Sequence, residues 1–174
     1  MTSTPSTPDR AHDVGRIVVG VDGSPSSEEA LRWGLAQSAL TGQPVHAVIS
    51  WEFPVDYGVA PMGDFDWKAN SAAVLSGTVQ KVLAEVRPEG PADQVEQHVD
   101  HGHPARVLLE AATSAALLVV GSRGHGGFTG MLLGSVSQHV VAHAACPVVV
   151  VHRPRADPEQ GDAPQAGSPR SSAP

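Results

Sequence analysis

Apolar and polar positions run in blocks whose period switches along the middle of the chain. Short, near-continuous apolar runs predict buried strands over about Arg16–Val21, Val45–Ser50, Leu117–Val120 and Val148–Val151. Val95 and Val99 alternate with polar neighbours and predict a further strand over about Gln94–Asp100. Between the strands the apolar period is helical. Leu31, Leu35 and Ala39 mark one face of a helix that Ser24 and Pro25 start as N-cap and first residue. Val74, Leu75, Thr78, Val79, Val82, Leu83 and Val86 form the clearest helical stripe. Further helices are expected from Pro104 to about Thr113 and over Ser135–Ala144. Alternating strand and helix with apolar strands predicts an α/β domain: a parallel, doubly wound sheet with helices on both faces.

The fourth strand runs into the most informative segment. Gly121, Gly124, Gly126, Gly127, Gly130 and Gly134 punctuate a loop that ends at the start of an amphipathic helix. Glycine allows positive φ and close approach of backbone to ligand. A helix N-terminus offers free N–H groups and a dipole that favours an anion. Strand, glycine loop and helix start together suggest a phosphate cradle. A Walker A loop is excluded, because the lysines are Lys68 and Lys81 and neither follows a glycine loop. The dinucleotide fingerprint is absent from the first strand–helix turn, and no Gly-x-Ser-x-Gly elbow occurs.

The spacing present is Gly121-x-x-Gly124, nine residues, then Gly134-Ser135. It closely resembles the ATP-binding signature of the universal stress protein family. The resemblance extends to Ile17–Ser24, with its Asp-Gly-Ser exit, to Gly102-His103-Pro104-Ala105, and to Ala145–Val151. It covers about Arg16 to His152, with Ala116 and His125 where that family often carries an acidic residue and a second arginine. It implies a Rossmann-like, five-stranded parallel sheet of order 3-2-1-4-5, with a ligand crevice between the carboxyl ends of strands one and four.

The resemblance also implies a set of binding residues. Gly20 and Asp22 lie at the end of strand one, and Asp22 would accept from an adenine amino group or a ribose hydroxyl, or simply close an Asp-Gly turn. Ser50 would face adenine through its backbone. Gly121, Ser122, Gly124 and Gly126 would face ribose and phosphates, with Arg123 and His125 beside them. Arg123 would pair with a phosphate or point to solvent. Gly134 and Ser135 would hold the terminal phosphates. Ser135 would serve a phosphate oxygen, a metal such as Mg²⁺, or the helix N-cap. No catalytic residue and no protein metal site is expected: His139–His143 and His101–His103 lack the further ligands of a zinc site. The aromatic segment Trp51–Trp67 is expected to be a lid, a partner surface or plain packing across the sheet.

Composition narrows the class. The chain has 174 residues and a formal net charge of −7, which argues against nucleic acid and anionic membrane as partners. Its first thirteen residues are polar and no apolar run reaches membrane-spanning length, so a cytoplasmic protein is expected. The single cysteine, Cys146, precedes an apolar strand and is expected to be a buried, inert thiol. Residues 1–15 and 153–174 are rich in Ser, Thr and Pro and are expected to be disordered tails around one domain at 16–152. The expected function is ATP-dependent regulation through protein partners. The alternatives are a weak ATP hydrolase or phosphotransferase and a nucleotide-independent interaction module. A homodimer through Val148–Val151, an apolar edge strand in the implied order, is expected.

Overall fold

A computed structural model describes residues 15–53, 65–87, 95–124 and 132–152. Five parallel strands form one sheet: β1 (Ile17–Gly20), β2 (Val45–Trp51), β3 (Val95–His101), β4 (Leu117–Gly121) and β5 (Val148–Val151). Their order is β3-β2-β1-β4-β5, as the resemblance implied. Four helices connect them: α1 (Pro25–Thr41), α2 (Trp67–Val86), α3 (Pro104–Ala111) and α4 (Ser135–His143). The tails and residues 54–64, 88–94 and 125–131 lie outside the described residues. The expected order or disorder of the tails, and Tyr57, His125 and Gly126 with the other glycines of 126–130, fall among them.

The sheet is covered on both faces. Ile17, Val19, Val45, Ala47 and Ile49 share one core with α1 and α2. Val18, Val48, Leu118 and Val120 share the other with α3 and α4. Alternate residues of each strand thus feed opposite cores, as the two-residue repeat demands.

Three local findings refine the sequence reading. The buried face of α1 passes through Leu31, Gly34, Leu35 and Ser38, whereas Ala39 is exposed. A strict spacing of four drifts off a 3.6-residue helix, and Ser38 returns to the face one position earlier. Its hydroxyl is satisfied by donating to the Gln43 carbonyl at 2.6 Å. Gly34 sits where α1 crosses β1: a Cβ there would stand 2.7 Å from Val19 Cγ2. α2 begins at Trp67, the last residue of the aromatic segment, because the Asp66 carboxylate accepts the Ala69 N–H at 2.9 Å and caps it.

Candidate functional site

The carboxyl ends of β1 and β4 meet at a cavity of about 680 Å³. Its construction starts at the end of β1. The Val21 N–H donates to the Val48 carbonyl at 2.9 Å, and the chain then leaves the sheet. Asp22 Oδ1 accepts the Ser24 N–H at 2.9 Å, closing a turn that Gly23 completes with φ +81°. Ser24 is the extended N-cap of α1, and its hydroxyl accepts the Ser27 N–H at 3.2 Å. The Asp-Gly turn and the cap are both real, and the second oxygen of Asp22 points toward the β4 loop.

The end of β4 is drawn onto this turn. Gly121 lies so close to α1 that a Cβ would stand 2.7 Å from the Ser26 carbonyl carbon. The Ser26 hydroxyl donates to the Arg123 carbonyl, and the Ser24 hydroxyl approaches the same oxygen at 3.5 Å. A Cβ on Gly124 would stand 2.5 Å from Asp22 Oδ2. Residues a hundred positions apart in the chain thus form one wall.

The start of α4 supplies the third side. The Gly134 N–H donates to the Ser122 carbonyl at 2.8 Å, and the Ser137 hydroxyl donates to that carbonyl at 3.1 Å. Gly134, not Ser135, is the N-cap, and among the described residues no side chain caps the helix. The capping alternative for Ser135 therefore falls: the carbonyl of Ser122 and the backbone of Gly134 start the helix without its hydroxyl. Ser135 is the first helical residue and faces the cavity with Val136. Gly134 has φ −76° and room for a Cβ, with Arg123 Cα at 3.6 Å, so its conformation does not require glycine.

The structure brings Gly20, Asp22, Ser50, Gly121, Arg123, Gly124, Gly134 and Ser135 to this one cavity. Ser122 is not among its lining: it is buried, and its N–H donates to the Val151 carbonyl at 2.8 Å. Val48 and Ile49 give an apolar floor, and Asn70, Ser71 and Val74 of α2 close one side. The α2 contribution escaped the sequence reading, because the first turn of that helix breaks the apolar stripe. Its only signal was the pair of small polar residues, Asn70-Ser71, just before the stripe begins. None of the described aromatics Trp51, Phe53, Phe65 and Trp67 lines the cavity. Trp51 instead packs edge-on against Phe53 and beside His101, at ring separations of 5.2 and 4.6 Å.

Chemically, the cavity joins an apolar slot, a carboxylate on a rigid turn, an exposed arginine and an uncapped helix N-terminus. Uncapped N–H groups favour an anion, and a concave site with a few convergent polar groups suits a small ligand.

The universal stress protein family model matches residues 14–152. A universal stress protein of Mycolicibacterium smegmatis is 39% identical over 139 residues, 80% of this chain and 46% of that protein. The chain spans about half the length of the curated relatives it matches. A universal stress protein solved in complex with cAMP is 28% identical, with a TM-score of 0.59 over 80% of this chain and 97% of that one. The universal stress protein of Archaeoglobus fulgidus in complex with dAMP is 25% identical, with a TM-score of 0.54 over 79% of this chain and 97% of that one. The chain belongs to the universal stress protein family.

Proposed function

We propose that the cavity binds an adenine nucleotide, ATP with Mg²⁺ foremost, and that occupancy regulates the association of the protein with partners. One observation carries this reading: Asp22, Gly124 and the uncapped start of α4 converge on one cavity with an apolar floor. The N–H groups of Ser135 and Val136 would hold phosphate. The Asp22 carboxylate would accept from ribose or adenine, and the base would lie over the apolar floor at Val48 and Ile49, beside the Ser50 backbone. Mg²⁺ keeps most of its waters and binds phosphate oxygens with few protein donors. The Ser135 hydroxyl fits that role and would supply one oxygen, while the ion offsets phosphate charge. The lining offers a single described cation, Arg123, so backbone N–H groups would carry most of the anion recognition. The reading places the protein in the cytoplasm, where such nucleotides are abundant, and pairs it as a homodimer through β5. Among the described residues, no helix is long and apolar enough to cross a membrane.

Two solved neighbours, one in complex with cAMP and one with dAMP, favour a second reading of the same cavity, in which a nucleoside monophosphate is the ligand. Titration calorimetry with ATP, AMP, cAMP and GTP separates the two. Saturable ATP binding that is lost in Gly124→Val, with the circular dichroism of the wild type retained, is the expected result. Tighter binding of AMP or cAMP than of ATP would establish the second reading. No binding of any of the four would overturn both and leave the nucleotide-independent module.

A further inference from the structure

We propose that His46, Glu96 and His98 form a binding site for one divalent transition-metal ion of the zinc type. The site lies near the amino ends of β2 and β3. It is on the face of the sheet that carries α3 and α4, and its cavity shares only Val48 with the lining of the nucleotide cavity. Parallel pairing sets His46 opposite Glu96 and Val48 opposite His98. Glu96 and His98 are two apart on β3, so both side chains stand on the face from which His46 rises. Val95 and Val99, which flank the pair, turn to the opposite core. On that opposite face α2 covers both strands. On the side of the histidines, a cavity of about 530 Å³ opens, bordered by Arg16, Pro44 and Ala111.

One ligand atom from each of the three residues lies within 4.8 Å of the others. His98 Nε2 is 3.1 Å from His46 Nδ1. An ion bound to both at the usual zinc–imidazole distance would subtend about 100° at that separation, between octahedral and tetrahedral values. Glu96 Oε2 is 2.9 Å from His46 Nε2, and Oε1 is 3.9 Å from His98 Nε2. The carboxylate thus has two tasks. Through Oε2 it holds the N–H of His46 Nε2, which leaves the lone pair on Nδ1, the tautomer a metal requires. Through Oε1 it can reach the ion.

In the metal-free chain, His46 Nδ1 is then the acceptor and His98 Nε2 the donor of one shared proton. The ion replaces that proton, which moves to His98 Nδ1, so neutral imidazoles supply both nitrogen ligands. The two rings lie within 14° of parallel, so His98 must swing about its side-chain torsions to aim its lone pair. It is 36% exposed along its side chain and Glu96 is 63% exposed, which permits the movement. Arg16 does not crowd the nitrogens as a loose cation, since its guanidinium donates to the Ala111 carbonyl at 2.8 Å. Two imidazoles and one carboxylate select a borderline transition ion over Mg²⁺ or Ca²⁺, which demand oxygen. Water from the cavity completes the coordination.

The test is zinc titration of the full chain, freed of nucleotide, by calorimetry in a non-chelating buffer. One saturable Zn²⁺ per chain is expected, with no competition from a large excess of Mg²⁺. Affinity should fall by at least about 10- to 100-fold in His98→Gln and in Glu96→Gln, the cost of losing even an outer-shell partner. Glu96 is exposed and His98 half-buried with its ring open to the cavity, so both variants should fold, and their unchanged circular dichroism checks that. A His139→Gln/His143→Gln double variant should keep the site, because it removes the stacked pair on α4 that offers an alternative landing place. Zinc binding unaltered by His98→Gln and Glu96→Gln, or no saturable zinc binding by the wild type, would overturn the assignment.

Discussion

Gly121 and Gly134 belong to one motif yet owe their glycines to different causes. A methyl at Gly121 collides with the Ser26 backbone, which cannot yield without moving the start of α1. Gly121→Ala is therefore expected to lose about 1–3 kcal/mol, the usual cost of overpacking. Gly134→Ala meets only ordinary contacts and should lose no more than about 0.5–1 kcal/mol, the difference between glycine and alanine at an N-cap. Urea denaturation of both variants checks the contrast, and equal losses would refute it. Cys146 allows a second check. Burial pushes its thiol up from the ordinary range, so less thiolate is present at any given pH. It should react with a disulfide reagent more slowly than free cysteine at pH 8. A rate equal to that of free cysteine would show an accessible thiol. At this scale the sequence revealed where the glycines lie, but only the packed α1 terminus explains which of them the fold needs. His46, Glu96 and His98 were illegible for a related reason. His46 lies about fifty residues before the other two, and strand register alone joins it to them.

Helix starts decide how the elements of the cavity are held. α1 is capped by Ser24 and lends the hydroxyl of Ser26 to the β4 loop, whereas α4 is left uncapped and open to the cavity. The same chemistry, a serine near a helix start, thus does opposite work at the two places. Ser24 was legible as a cap because Pro25 follows it. Ser135 resembled a cap equally well; the helix does start at Ser135, but the cap position falls to Gly134, whose N–H donates to the Ser122 carbonyl. Ser26→Ala tests the tie between α1 and the loop. It removes the bond to the Arg123 carbonyl and the 3.2 Å bond between the Ser24 and Ser26 hydroxyls, and should cost about 1–2 kcal/mol of stability. It should also weaken ATP by several-fold, because the Arg123 carbonyl loses its anchor while the N–H groups of α4 are untouched. Thermal denaturation and calorimetry read the two effects. A loss of stability with unchanged affinity would show that the anchor serves the fold alone.

Strand order was legible for the whole molecule because β-α alternation permits few topologies and the resemblance selected one. The order leaves β3 and β5 at the two edges, and they differ. β3 carries Glu96, His98, Asp100 and His101 among seven residues, a charged and polar edge that resists pairing. β5 is Val148–Val151, half-buried along its length, with no charge. The expected homodimer pairs two copies of β5 about a twofold axis. The bonds from Leu118 N–H to the Pro147 carbonyl and from Ser122 N–H to the Val151 carbonyl turn the backbone of the odd-numbered residues toward β4. In a parallel ladder the N–H and C=O of Val148 and Val150 then point to the free edge. The side chains offer a poorer handle. Val149 and Val151 pack against the core beneath α1, and Val148 and Val150 against that beneath α3 and α4, so lysine at any of them would damage the fold itself. Proline at Val150 removes an outward N–H and leaves the β4 ladder intact, as edge strands tolerate. Light scattering after gel filtration should therefore show a dimer for the wild type and a folded monomer for Val150→Pro. A wild type already monomeric at micromolar concentration would refute the β5 interface, and a variant that remains dimeric would move the interface to another surface of the chain.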